Sequence, residues 1–161
     1  MKNEKNINDV KDSVNKFAQD MESKQLEISG KKFSFLQVGL IIGAILELVS
    51  CFLPFIEGGA SIGGISVSSS SSYFSSGGFH LIVLLAALIG TCVLTFIGKK
   101  QIAIITAIFN FVWIAYDALL SGGEAREYMT VCIGAYIMMI AALIVLVMTV
   151  LGLANDKKHN K

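Results

Sequence analysis

The chain has 161 residues, 54% of them apolar and only 16% charged, with a mean hydropathy of +0.68. A soluble domain carries roughly a quarter charged residues, so the deficit points to lipid, and a net charge of +1 leaves no basic footprint for nucleic acid. The cysteines Cys51, Cys92 and Cys132 fall in apolar runs with no CxxC or Cys/His spacing that could hold zinc.

Residues 1–32 form a polar, amphipathic segment expected in the cytoplasm. Ile7, Val10, Val14, Phe17 and Met21 recur at steps of three and four, which places them on one stripe of a helix. Such a stripe suits a helix lying on the membrane surface, a docking helix for a partner or a second copy, or a partly disordered segment. The mixed charge of Lys11, Asp12, Lys16, Asp20 and Glu22 on its other faces weakens the first of these, because anionic lipid favours lysine-rich faces. The first apolar run is too long for the core of a cleaved signal peptide, so the first span is expected to serve as its own anchor.

Crossing about 30 Å of hydrocarbon takes about 20 apolar residues in a helix. The transmembrane part is expected over residues 33–154, with spans near 33–56, 80–98, 101–120 and 128–154, an outer loop at 57–79 and a cytoplasmic tail at 155–161. The fold class is therefore an all-α membrane protein built as a four-helix bundle. In the first span Gly39 and Gly43 form a GxxxG that permits close approach of another helix. Pro54 stands where a lost backbone hydrogen bond costs least, at the span's outer end. Glu47 lies on the same face, about 20 Å from the inner edge at the helical rise. An unpaired charge there would cost at least ~2.5–3.5 kcal/mol, so Glu47 must face protein or water, or carry a proton.

The loop at 57–79 is nearly free of charge and rich in glycine and serine, as in a flexible linker. Ile62, Ile65 and Val67 interleave with these small residues, and the preferred reading is a short β-hairpin over the outer mouth of the bundle. His80 opens the second span at the interface, where an imidazole needs no special reason, although a pH sensor could be built on it. Thr91 and Thr95 in the second span and Tyr136 in the fourth add polar groups.

Lys99 and Lys100 make so short a turn that spans two and three must be an antiparallel hairpin. Span three sets Ala103, Ala107, Asn110, Ile114 and Asp117 on one face, with Asn110 ~14 Å and Asp117 ~24 Å from the shared edge, so Glu47 falls between them in height. Two readings stay open. Glu47, Asn110 and Asp117 form a site for a proton or cation, since facing carboxylates without a basic neighbour resist joint ionisation. Alternatively Glu47 is a neutral packing group bonded to Asn110, Ser50 or a hydroxyl, and Asp117 sits in the headgroup zone beside Trp113 and Tyr116. Met129, Met138, Met139 and Met148 read as flexible packing rather than a copper array.

Orientation follows from the basic residues, which stay cytoplasmic near span ends. Seven lysines precede the first span, Lys99 and Lys100 join spans two and three, and Lys157, Lys158 and Lys161 close the chain. Twelve of the thirteen basic residues thus share one side, leaving Arg126 on the other. Both termini are expected in the cytoplasm.

Phe52-Leu53-Pro54-Phe55, ending the first span ahead of a polar loop, resembles the Phe-Leu-Pro-Phe/Trp motif of small bacterial four-span proteins of unassigned function. The resemblance covers about residues 33–120 and implies a bacterial plasma membrane, but no activity. No GxSxG, HExxH or Walker-type run occurs, so neither catalytic residues nor a metal or other cofactor are expected. The expected role is a non-enzymatic one, as an accessory, regulatory or immunity-type subunit that binds a membrane protein or another copy of itself. The alternative is a small oligomeric channel or proton- or cation-coupled transporter using Glu47.

Overall fold

The computed structural model of the chain describes residues 10, 12–17, 20, 25–28, 31–62, 65–119 and 129–159. Near the N-terminus lies a helix, α1, whose described residues are 10, 12–17 and 20, followed by an antiparallel hairpin of β1 (Gln25–Ile28) and β2 (Lys31–Ser34). Helix α1 agrees with the apolar spacing, while the β1–β2 hairpin is a finding the sequence reading did not contain. Ile7 and Met21 lie outside the described residues.

Four apolar helices make the body: α2 (Phe35–Ser50), α4 (Gly78–Phe96), α5 (Lys100–Leu119) and α6 (Ile133–His159), with a single turn, α3 (Tyr73–Ser76), ahead of α4. Three of them, over Gly78–Phe96, Lys100–Leu119 and Ile133–Ala154, are long and apolar enough to cross a membrane. The molecule is a mainly helical membrane protein with a small sheet at one end. Its solvent-facing surface agrees with that reading, since Ile82, Ile89, Ile105 and Ile140 are more than half exposed while Glu47, Ser50, Thr91, Asn110, Asp117 and Thr149 are buried. Water would not tolerate that distribution, and lipid requires it.

Helix α2 is shorter than the 33–56 expected for the first span. Ser34 caps it, accepting from the Gln37 backbone N–H at 3.3 Å while the Gln37 side chain accepts from the Ser34 backbone N–H at 3.0 Å, a reciprocal capping box. The helix ends at Ser50 because the Pro54 ring disfavours helical backbone in the residue before it. Sixteen residues rise only about 24 Å, and Pro54 opens a strand instead of packing within a helix.

That strand, β3 (Pro54–Ile62), pairs antiparallel with β4 (Ile65–Ser72), so the hairpin expected in the first loop is present. A register shift between Pro54 and Ile56 turns Phe55 into the core, where its ring meets Tyr73 edge-on at 4.8 Å. On its other edge β3 pairs with β5 (Met129–Val131), giving the order β4-β3-β5. The fourth span was expected to begin at 128; it begins at Ile133, because the β-branched Thr130 and Val131 complete the sheet before the helix starts.

Helices α4, α5 and α6 follow one another as neighbours, as the short turns demand, and α2 packs antiparallel on α6. Leu36 meets Leu151 near the lysine end, Leu40 and Leu88 meet Val145 midway, and Cys51 meets Met138 near the sheet. The GxxxG face belongs to this seam: a Cβ on Gly43 would lie 3.0 Å from Val145 Cγ2, and one on Gly39 would lie 2.7 Å from Met148 Cε. Gly39 and Gly43 therefore serve packing inside the chain. Between α4 and α5 the reversal uses Gly98 at φ 85°, with Lys99 N–H donating to Leu94 O at 2.9 Å and Gly98 N–H to Thr95 O at 3.2 Å, a paired closure of the helix end.

Candidate functional site

The buried polar side chains fall into two clusters at different heights. Glu47 sits about 18 Å along α2 and Asn110 about 15 Å along α5, both counted from the lysine end. These helices are diagonal in the bundle, so the two side chains reach across its centre, where Asn110 Nδ2 donates to Glu47 Oε1 at 2.8 Å. Glu47 is fully buried and Asn110 is 1% exposed. Ser50 and Cys51 do not bond the Glu47 carboxyl; their side chains donate to its backbone carbonyl at 2.7 and 3.4 Å. Nearby, Thr91 donates to Thr106 at 2.9 Å, tying α4 to α5.

Asp117 is not part of that pair. It lies two turns further along α5, toward the sheet, and takes the Tyr73 hydroxyl on Oδ2 and His80 Nδ1 on Oδ1 at 2.8 Å. Tyr73 is held there by α3, which Ser72 caps through the Ser75 N–H at 3.3 Å and which is fastened to the end of α2 by Phe74 N–H donating to Cys51 O at 2.8 Å. His80 stands on the first turn of α4 with its ring 5.2 Å from that of Trp113. Sequence spacing singled out Asp117 and passed over Tyr73, the only described tyrosine that is buried. Its one signal was an aromatic pair, Tyr73-Phe74, closing a run of serines.

Tyr73, His80 and Asp117 line a cavity of about 200 Å³ that is open to the surface, with Phe55 and Ile56 as its apolar wall and Ser76 at its rim. A second, much smaller cavity of about 40 Å³ lies at the lysine end beside Ser34, Thr95 and Lys100, where Lys100 Nζ donates to Gly152 O at 3.1 Å. Neither is lined by Glu47. Among the described residues no three His, Cys, Asp or Glu side chains converge as metal ligands.

Burial pushes the Tyr73 phenol well above its usual 10, and the hydrogen bond and negative charge of Asp117 push it the same way. The sign of the pH effect follows. A group that holds its proton more tightly when folded contributes fully below the unfolded value, and the contribution is lost as pH rises past it. Stability should be level with respect to Tyr73 below pH 10 and fall above it. Alkaline melts of wild type and Tyr73→Phe check this, since the variant should lose that part of the alkaline decline; identical profiles would remove Tyr73 as its source.

No known protein family, curated protein or solved structure matches the chain.

Proposed function

We propose that the chain is a four-span plasma-membrane protein with both termini in the cytoplasm, acting by binding as an accessory, regulatory or immunity-type subunit of a membrane complex. Placing α2 as the first span, despite its length, agrees with the sequence positions of twelve of the thirteen basic residues, which a four-span topology assigns to one side, and with three further membrane-length helices. The Phe52–Phe55 motif supports a bacterial setting.

The observation that carries the binding reading is α1. Val10, Val14 and Phe17 share one face and are 59%, 43% and 56% exposed. An apolar stripe left uncovered on a charged helix is what a helix-in-groove partner recognises. The bundle itself supports the same reading, because buried polar groups on different helices are turned into one another. Such an interior suits a scaffold better than a conduction path.

The test is affinity purification of the full chain from its native membrane in mild detergent, beside a Val14→Asp/Phe17→Asp double variant. The expected result is a stoichiometric partner, or a second copy, recovered with the wild type and lost with the variant. Recovery of the lone chain from both samples, or of the same component from both, would defeat the reading.

A further inference from the structure

Among the described residues three buried side-chain polar atoms have no hydrogen-bond partner, and two of them, Glu47 Oε2 and Asn110 Oδ1, belong to the pair at the centre of the bundle. The third is the indole nitrogen of Trp113, near the sheet end. Two orphans on two residues that already share one bond are not independent defects. Asn110 Nδ2 donates to Glu47 Oε1 at 2.8 Å, and the second oxygen of each planar group is left buried without a partner. A carboxylate oxygen and an amide oxygen are both acceptors.

We propose that Glu47 and Asn110 form a proton-binding site, in which a proton resident on Glu47 Oε2 donates to Asn110 Oδ1 and closes a two-bond acid–amide ring across the bundle. One proton, taken from bulk water, turns one orphan into a donor and satisfies the other, and it removes the carboxylate charge from the interior. No other ligand does all three. A water could bridge the two oxygens but would leave the charge, whose burial is strongly unfavourable without a partner. A metal cation would neutralise it but needs more oxygen ligands than the two on offer.

The surroundings agree. From α2 itself the nearest ionisable group is Cys51, whose thiol is engaged by the Glu47 carbonyl. From α4 it is Cys92, with Thr91 bonded to the Ala87 carbonyl and to Thr106. On α6 the antiparallel register puts the buried Ala141 and Ala142 at the height of Glu47, and neither carries a charge. On α5, Asp117 is held by Tyr73 and His80 toward the sheet, and Lys100 bonds Gly152 O at the opposite end. Among the described residues no basic side chain stands between them to neutralise Glu47 in the proton's place. The site does not depend on the binding role proposed above.

The experiment is infrared spectroscopy of the full chain in lipid nanodiscs at neutral pH, with glutamate carboxyl groups isotope-labelled so that Asp117 does not contribute. The expected result is one labelled band of a protonated, hydrogen-bonded carboxylic acid, which shifts on exchange into heavy water. It should vanish in Glu47→Gln and move to the higher frequency of a free acid in Asn110→Leu. Only ionised carboxylate bands from labelled wild type would overturn the proposal, as would an acid band that persists in Glu47→Gln. The wild-type spectrum alone decides the matter should a variant fail to fold. Glutamine copies the donor and acceptor of a protonated glutamate, so Glu47→Gln is further expected to melt with the wild type, and Glu47→Leu well below it.

Discussion

Asp117→Ala should lower the stability of the bundle by about 3 kcal/mol, most of it through Tyr73. The substitution removes the acceptor of a phenol that is only 3% exposed, and a buried donor left without a partner costs about 1–3 kcal/mol, with bonds to charged groups at the upper end. His80 adds less, because its side chain is 43% exposed and water can replace the lost partner. Asp117→Asn keeps a carbonyl oxygen in place and should cost roughly half as much. Denaturant titration in micelles reads the difference, and the sole tryptophan of the chain, its ring 5.2 Å from that of His80, supplies a local signal. Combining Asp117→Ala with Tyr73→Phe should restore part of the loss, since the orphaned hydroxyl is then gone. An Asp117→Ala protein as stable as wild type would mean that the cluster does not hold α3 and α4 against α5.

Gly134→Ala is expected to be nearly as damaging although it adds a single methyl group. That carbon would lie 2.5 Å from the Pro54 carbonyl oxygen and 3.0 Å from that of Leu53, and neither belongs to a side chain that can swing aside. Either the start of α6 or the start of β3 must move, and overpacking of this kind costs about 1–3 kcal/mol or more. Gly90→Ala is the control, since a Cβ there meets nothing within 4 Å and alanine favours a helix interior. Thermal melts should place Gly134→Ala clearly below wild type and Gly90→Ala at or above it; the opposite order would contradict the close approach of the two segments.

Much of this architecture could be read from spacing along the chain. Three long apolar runs give three membrane-length helices within a few residues of their expected limits, because helix pitch and apolar length are local properties. That Glu47 and Asn110 lie near enough in height to meet could be counted from residue rises, which set Glu47 between Asn110 and Asp117 and left the choice of partner open. Where the reading departed from the structure, a partner distant in the chain made the choice. Residues 129–131 could have extended a helix, and the free edge of β3 draws them into a strand. Gly39 and Gly43 announce a close helix neighbour, but nothing local says that the neighbour is α6 rather than another copy. Asp117 was grouped with Glu47 by helical phase, and its true partners, Tyr73 and His80, come from a turn and a helix start that periodicity does not locate.

Strand β3 leaves α2 and is stitched to β5, which leads into α6, so the first and last helices are buckled together at the sheet end by backbone hydrogen bonds. At the lysine end Lys100 Nζ ties α5 to α6 through the Gly152 carbonyl. A pull on the sheet end of α2, by contrast, reaches α6 through main chain alone, without passing through the two helices that lie between them in sequence.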